Sequence, residues 1–293
     1  MLGKKEKTAL VAGCGYLGSQ LATGLARLGI RVFATTRRRT DAIRALGAEP
    51  VVCDFTRPAT LATLPAADWV VYCAASDAKG ANSFRDIHLD GLLAVAHSQA
   101  SRGFQGRFVL VSSTSVYCQE DGNWVDENSP AQPQTEAGQI TLEAEERLRE
   151  IIPSAVVLRF AGIYGPGRLI RAKTLQQGEA LVCNPDRWLN LIHVTDGARA
   201  VIECFVKGAP GPIYTICDDL PVLRGEFYTH LARVLKTPEP RFELPPEGSA
   251  LAARESNNRR ISNAKMKKEI LDNLLFPTFQ EGLASGEECL SRG

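Results

Sequence analysis

The chain has 293 residues, enough for one large domain or two modest ones with an ample core. A hydrophobic fraction of 44% and a charged fraction of 23% are ordinary for a soluble globular chain, and a net charge of +1 gives no global reason to expect nucleic acid or an acidic membrane as partner. No stretch reaches the roughly 20 apolar residues that span a bilayer, and the apolar run behind Lys4, Lys5 and Lys7 is too short for a signal-peptide core. In chain order, apolar runs predict strands at 8–12, 31–35, 49–53, 69–74, 107–112 and 155–160, with helices at 19–28, 40–46, 84–102 and 136–151. Val/Ile/Leu-rich strands separated by helices predict a parallel sheet covered on both faces and joined by right-handed crossovers, a doubly wound α/β fold of the Rossmann kind.

After Phe160 the texture changes. Gly and Pro gather in Gly165-Pro166-Gly167, at 208–212, and at Pro238, Pro240, Pro245 and Pro246. Residues 1–165 and about 191–217 are expected to form the doubly wound domain, and about 166–190 and 218–293 a smaller cap domain. The polar stretch 247–258 is expected to be a surface loop able to close over a ligand. Eight cysteines without a C-x-x-C read as small core residues of a reduced, cytoplasmic protein, and four scattered histidines give no support to a metal site.

The first strand runs into Gly13-Cys14-Gly15-Tyr16-Leu17-Gly18, and a helix follows. A G-x-G-x-x-G at a strand–helix junction is the dinucleotide-binding fingerprint. Gly13 allows the tight turn, Gly15 the approach of backbone to pyrophosphate, and Gly18 close helix–strand packing. The helix N-terminus offers N–H groups and the positive end of its dipole to the phosphates.

Further segments carry a resemblance. They are Val111-Ser112-Ser113-Thr114-Ser115-Val116-Tyr117, Val125-Asp126-Glu127-Asn128-Ser129-Pro130, the run from Leu158 through Tyr164-Gly165-Pro166-Gly167-Arg168, and Leu191-Ile192-His193-Val194-Thr195-Asp196. In this order, and together with the glycine loop, they resemble the extended short-chain dehydrogenase/reductase superfamily of the NAD-dependent epimerase/dehydratase type. One departure stands out. The family's proton chemistry usually rests on Tyr-x-x-x-Lys, yet here no Tyr lies between Tyr117 and Tyr164 and no Lys between Lys79 and Lys173. Aligning Gly138 and Glu145 with the family's usual Gly and Glu puts Ala137 and Thr141 at the two positions, and neither does acid–base work. This resembles an atypical branch that shares the Gly-Tyr-Leu-Gly loop and often lacks the pair.

The resemblance implies roles residue by residue. Tyr16 and Leu17 in the loop, and Ala74 and Ala75 after the fourth strand, join Gly13, Gly15 and Gly18 in lining the coenzyme. Asp54 is expected at the adenine amino group, with loop capping as the other reading. NAD-preferring members end the second strand with a carboxylate, whereas this chain reads Thr35-Thr36-Arg37-Arg38-Arg39 with no acid before Asp41. Arg37 first, and Arg38 second, are therefore expected at a 2′-phosphate, which favours NADP over NAD. Ser113 aligns with the catalytic Ser/Thr, or is a strand-end hydroxyl satisfying local backbone. Tyr117 is either a substitute proton donor or a packed wall. Tyr164 and Arg168 are expected to face substrate, Arg168 alternatively forming a salt bridge. His193 reads as structural, turning the chain before a helix capped by Thr195 or Asp196.

The sequence thus reads as an NAD(P)-dependent oxidoreductase or epimerase/dehydratase-like protein. Its substrate would be small and polar, with sugar derivatives among the candidates, and its acid–base residues non-standard. No metal, nucleic acid or membrane is expected, and a homodimer through 84–102 and 136–151 is one arrangement the family uses. A rival from another class stands beside it: a catalytically silent NADP-binding redox sensor or interaction module.

Overall fold

The computed structural model describes residues 6–76 and 83–290; Lys4 and Lys5, and the side chain of Cys289, lie outside them. Seven strands form the central sheet: β1 (Thr8–Ala12), β2 (Arg31–Thr36), β3 (Glu49–Val52), β4 (Trp69–Tyr72), β5 (Arg107–Ser113), β6 (Val156–Phe160) and β7 (Ile213–Ile216). Their order is β7-β6-β5-β4-β1-β2-β3. β1 pairs parallel with β2 and β4 on its two sides, placing Val11 opposite Ala34 and Val71. Every residue of β4 and β6 is buried, as strands covered on both faces require. The chain reverses its direction of growth between β1 and β4, the switch point where open α/β sheets bind ligands beyond the carboxyl ends of their strands. This is the Rossmann-like α/β fold expected from the sequence.

The helices that matter here are α1 (Tyr16–Arg27), α2 (Gly91–Ala100), α3 (Glu136–Ile151) and α4 (Val194–Lys207). α1 begins three residues before the expected start at 19, directly after Gly15. The helix expected over 84–102 contains a π-helical turn, Asp86–Asp90, ahead of α2. Its cause is a side chain inserted at the turn: the Tyr72 hydroxyl donates to the Ile87 carbonyl at 2.5 Å. Gly91 permits this approach, because a Cβ there would lie 2.9 Å from both the Tyr72 hydroxyl and Phe55.

The chain divides into two compact units. The first comprises Met1–Val116, Glu136–Arg159 and Ala198–Tyr214; the second comprises Tyr117–Thr135, Phe160–Gly197 and Thr215–Gly293. The contacts thus group 117–135, 160–165, 191–197 and 215–217 with the second unit, whereas the composition-based division has them in the first. In the first unit Leu10, Val70, Leu92, Val95, Phe108, Ile140, Ala144 and Leu148 share one apolar cluster. Trp69 stacks on Phe205 with ring centroids 5.0 Å apart. A buried polar triad pins α3 to the sheet. The Ser112 hydroxyl donates to Glu145 Oε1 at 2.5 Å, and Arg159 Nη2 donates to Oε2 at 2.7 Å. Both charged side chains are only 4% exposed, so removing either partner would strand the other, at a cost of about 3–5 kcal/mol.

The second unit has its own core of Tyr164, Leu175, Leu181, Phe227, Tyr228, Leu231 and Phe279. The Arg260 guanidinium lies over Trp124 at 5.1 Å and over Trp188 at 5.2 Å. The stretch 247–258 corrects the sequence reading: it holds a helix, Ala250–Glu255, capped by the Ser249 side chain, which accepts from Ala252 N. Glu255 anchors its end by accepting from Arg171 at 2.9 Å and from Arg224 at 2.5 Å. Asp218 lies 2% exposed. Its Oδ1 accepts from Leu220 N at 3.3 Å, while Oδ2 has no hydrogen-bond partner.

Burial, reinforced by Asp219, Asp196 and Glu281, pushes the Asp218 carboxyl well above its usual value, and the Leu220 N–H opposes the shift only in part. The fold therefore holds a proton that the unfolded chain releases above about pH 4. The stability this gives is fully present below that pH and is lost as pH rises toward the folded-state value, with a slope approaching about 1.4 kcal/mol per pH unit. Asp218→Asn keeps the shape and removes the titration. Urea melts at several pH values should show the variant gaining on wild type as pH rises; parallel curves would mean Asp218 does not hold the proton.

Candidate coenzyme site

β1 delivers the chain into Gly13 at φ +107, a backbone conformation that L side chains rarely adopt. A Cβ on Gly13 would overlap the Ala74 backbone just beyond β4, and one on Gly18 would overlap the Gly13 carbonyl. These two glycines let the turn lie against the sheet and α1 close on the turn. Gly15 is different. Its φ of −91 lies outside the left-handed region, and a Cβ there meets nothing within 4 Å. The protein has no packing use for the missing side chain, so the open space fits a group from outside, as the pyrophosphate role requires. The first turn of α1 carries no acidic side chain that would oppose an anion at its N-terminus.

The end of β2 holds this loop. Gly13 N donates to Thr35 Oγ1 at 2.8 Å and Cys14 N to the Thr35 carbonyl at 3.3 Å. Thr36 Oγ1 accepts from Arg38 N at 3.2 Å and from Arg39 N at 2.9 Å, folding the basic turn back on its strand. Arg37 and Arg38 are exposed there. Arg39, which the sequence reading passed over, donates through Nη2 to the Cys14 carbonyl at 2.7 Å. The signal for it was slight: a third arginine three residues after a threonine.

Asp54 sits past β3 with Oδ1 accepting from the Thr56 N–H at 3.1 Å and the Thr56 hydroxyl at 2.8 Å, the loop-capping reading. Burial raises its carboxyl pKa, but the Thr56 hydrogen bonds, with Arg57 and Arg37, outweigh this and hold it below the usual range. Ala74 is half-buried and Ala75 exposed, both just beyond β4. Leu17 turns its side chain into the core, which leaves only its backbone open to a ligand.

Ser113 closes β5, and its Oγ accepts from Ser115 N at 3.1 Å. On α3 the Thr141 hydroxyl donates to the Ala137 carbonyl at 2.7 Å, so the two positions of the family's pair carry no ionisable group. Tyr117, in the second unit, is fully buried. Near it sits Arg259, 7% exposed. Burial lowers its pKa to about 10, against the opposing effect of Cys118 and Tyr117. Arg259 was not singled out from the sequence, where it is one half of an Arg-Arg pair.

Two expectations in the second unit change. Tyr164, expected to face substrate, is a core residue: its hydroxyl donates to the Thr278 carbonyl at 3.4 Å, and a Cβ on Gly282 would overlap it. The helix after His193 is served by the histidine itself, whose Nδ1 accepts from Thr195 N at 3.3 Å. Asp196 instead accepts from Leu275 N and Phe276 N at 2.9 and 2.8 Å. Burial lowers the His193 pKa, with Asp196 opposing. Arg168 is exposed on a tight turn closed by backbone bonds to Gly165 at 3.0 and 3.2 Å. Among the described residues no group of three or more His, Cys, Asp or Glu is placed to hold a metal, and no helix is long and apolar enough to cross a membrane.

The glycines should separate by experiment. Gly13→Ala should destabilise the fold by more than about 1 kcal/mol, because its φ and its space both exclude a side chain. Gly15→Val should melt like wild type yet bind dinucleotide at least about tenfold, or 1.4 kcal/mol, more weakly by calorimetry. Unchanged affinity in a folded Gly15→Val variant would remove the loop from the site.

The family model for the NAD dependent epimerase/dehydratase family matches residues 9–217, well over half of the chain. Protein YeeZ of Escherichia coli (strain K12) is 30% identical over 251 residues, covering 80% of this chain and 86% of that protein. A functionally unknown conserved protein from Silicibacter pomeroyi superposes with a TM-score of 0.80 at 29% identity, over 97% of this chain and 99% of that one. DesIV, a dTDP-glucose 4,6-dehydratase from Streptomyces venezuelae, superposes with a TM-score of 0.82 at 19% identity, over 98% and 97% of the two chains. With a glycine cradle open at Gly15 and these likenesses along its length, the chain belongs to the NAD-dependent epimerase/dehydratase family.

Proposed function

We propose that the protein is an NADP-preferring oxidoreductase or epimerase/dehydratase that acts on a small polar, sugar-derived substrate without the Tyr–Lys pair. The observation that carries this is the cradle: glycine is sterically required at 13 and 18, while at 15 a Cβ would meet nothing within 4 Å, leaving exposed space that a pyrophosphate can occupy. In this reading the 13–18 loop and the start of α1 hold the pyrophosphate, Arg37 and Arg38 hold the 2′-phosphate, Asp54 serves the adenine, and Ala74 and Ala75 line the strand end. The coenzyme, when bound, supplies hydride chemistry. DesIV is a sugar-nucleotide dehydratase of the same fold, which supports the substrate class.

The chain's own residues would do the rest. Ser113 orients the reacting oxygen through its hydroxyl. Tyr117 would release or take up the proton at its phenol oxygen, with the Arg259 guanidinium as the buried cation acting on it. Arg168 is the exposed candidate for an anionic substrate group. The described free cysteines, five of the seven buried, suit a reducing cytoplasm.

The bond from Thr141 to Ala137 also favours a second reading, a silent NADP-binding sensor, because it leaves nothing to transfer a proton at the usual place. Turnover of a nucleotide-sugar and carbonyl panel decides between them. For the enzyme, Tyr117→Phe should lower turnover about 10²–10⁴-fold with coenzyme affinity unchanged. Tight NADP binding with no turnover across the panel would leave the sensor. Arg37→Ala should weaken NADP by about 1.5–3 kcal/mol and spare NAD; equal loss for both would end the preference for NADP.

A further inference from the structure

The Cys14–Gly15 peptide is clamped at both ends. Its N–H side donates from Gly15 to the Gly13 carbonyl at 2.9 Å. Its carbonyl accepts from Arg39 Nη2 at 2.7 Å, reached across 25 residues of sequence. A trans peptide is planar, with its C=O and N–H pointing in opposite directions, so gripping both ends fixes the orientation of the whole unit. The next carbonyl is held as well, Gly15 accepting from Ser19 N at 2.9 Å and from the Ser19 hydroxyl at 2.6 Å.

The base from which Arg39 reaches is itself fixed. Its N–H donates to Thr36 Oγ1 at 2.9 Å, and its carbonyl accepts from Ile43 N at 3.2 Å. Arg39 also draws the Cys14 thiol pKa down against the larger raising effect of burial, in keeping with a guanidinium at the loop. Its neighbour Arg38 is exposed on the same turn.

We infer that Arg39 is a positioning residue that latches the glycine loop in its coenzyme-receiving form and so ties the adenosine side of the site to the pyrophosphate side. The inference rests on the loop's being the coenzyme site. It differs from a 2′-phosphate contact in what it predicts: loss of the latch penalises NAD and NADP alike, because both carry the pyrophosphate.

The test combines titration of NADH and NADPH with hydrogen exchange of the coenzyme-free protein. Arg39→Ala should weaken both coenzymes by a similar factor, about tenfold. In the absence of coenzyme, the Gly15 and Ser19 amides should exchange about tenfold faster while amides of β1 and β4 keep their protection. Arg39→Lys retains a charge and one donor, and should recover part of both effects. An Arg39→Ala variant that loses NADPH alone would make Arg39 a phosphate ligand and overturn the latch. Unchanged affinities, or unchanged exchange at Gly15 and Ser19, would overturn it too. A wild-type protein that binds neither coenzyme removes the dinucleotide site and the latch together; one that binds both while Arg39→Ala matches it removes the latch alone.

Discussion

The candidate site depends on one steric fact, the fit of Gly13 against the backbone of Ala74. A positive φ and a complete lack of room for Cβ meet at the same residue, so the turn after β1 sits where the neighbouring strand dictates. Gly18 then closes α1 onto the Gly13 carbonyl, and Thr35 fixes the N–H of the turn from the other side. The loop thus inherits its position from three adjacent strands of a parallel sheet, a rigid support for a group that has to be met by backbone. A change in α1 alone would leave the turn in place; a change at Gly13 would move both.

The departure from the family's usual chemistry is local by the same logic. α3 keeps its register through Glu145, which lies four residues beyond Thr141 and is held by Ser112 and Arg159. The helix is formed over both positions that the resemblance gives to the tyrosine and lysine, with Ala137 and Thr141 standing there. Thr141 answers its own polar need by bonding back to the carbonyl four residues earlier, a habit of threonine within helices. Structural and chemical requirements on this helix are therefore carried by different residues.

Much of this was legible in the sequence because it is written in local signals. Buried strands appear as unbroken apolar runs, and a glycine pattern at a strand–helix junction has few other uses. What was hidden depends on partners far along the chain. The π turn at Asp86–Asp90 exists because Tyr72 reaches it from another element. The helix within 247–258 looks like a polar loop until Arg171 and Arg224 neutralise Glu255. Tyr164 reads as a cleft residue beside Gly165-Pro166-Gly167, but Gly282 leaves space for its hydroxyl in a core. Arg39 is one arginine among three until its reach to Cys14 is seen.

The three tryptophans fall one in the first unit and two in the second, in opposite surroundings. Trp69 is 7% exposed and stacked on Phe205, whereas Trp124 is 54% exposed and faces the Arg260 guanidinium. Indole emission moves to the red as water gains access to the excited ring, and a guanidinium against its face perturbs it further. The molecule consequently carries two native fluorophore populations, a blue one reporting the sheet and a red one reporting the second unit. Removing Trp69, or Trp124 with Trp188, isolates either, so each unit's unfolding could be followed optically within the intact chain without any label.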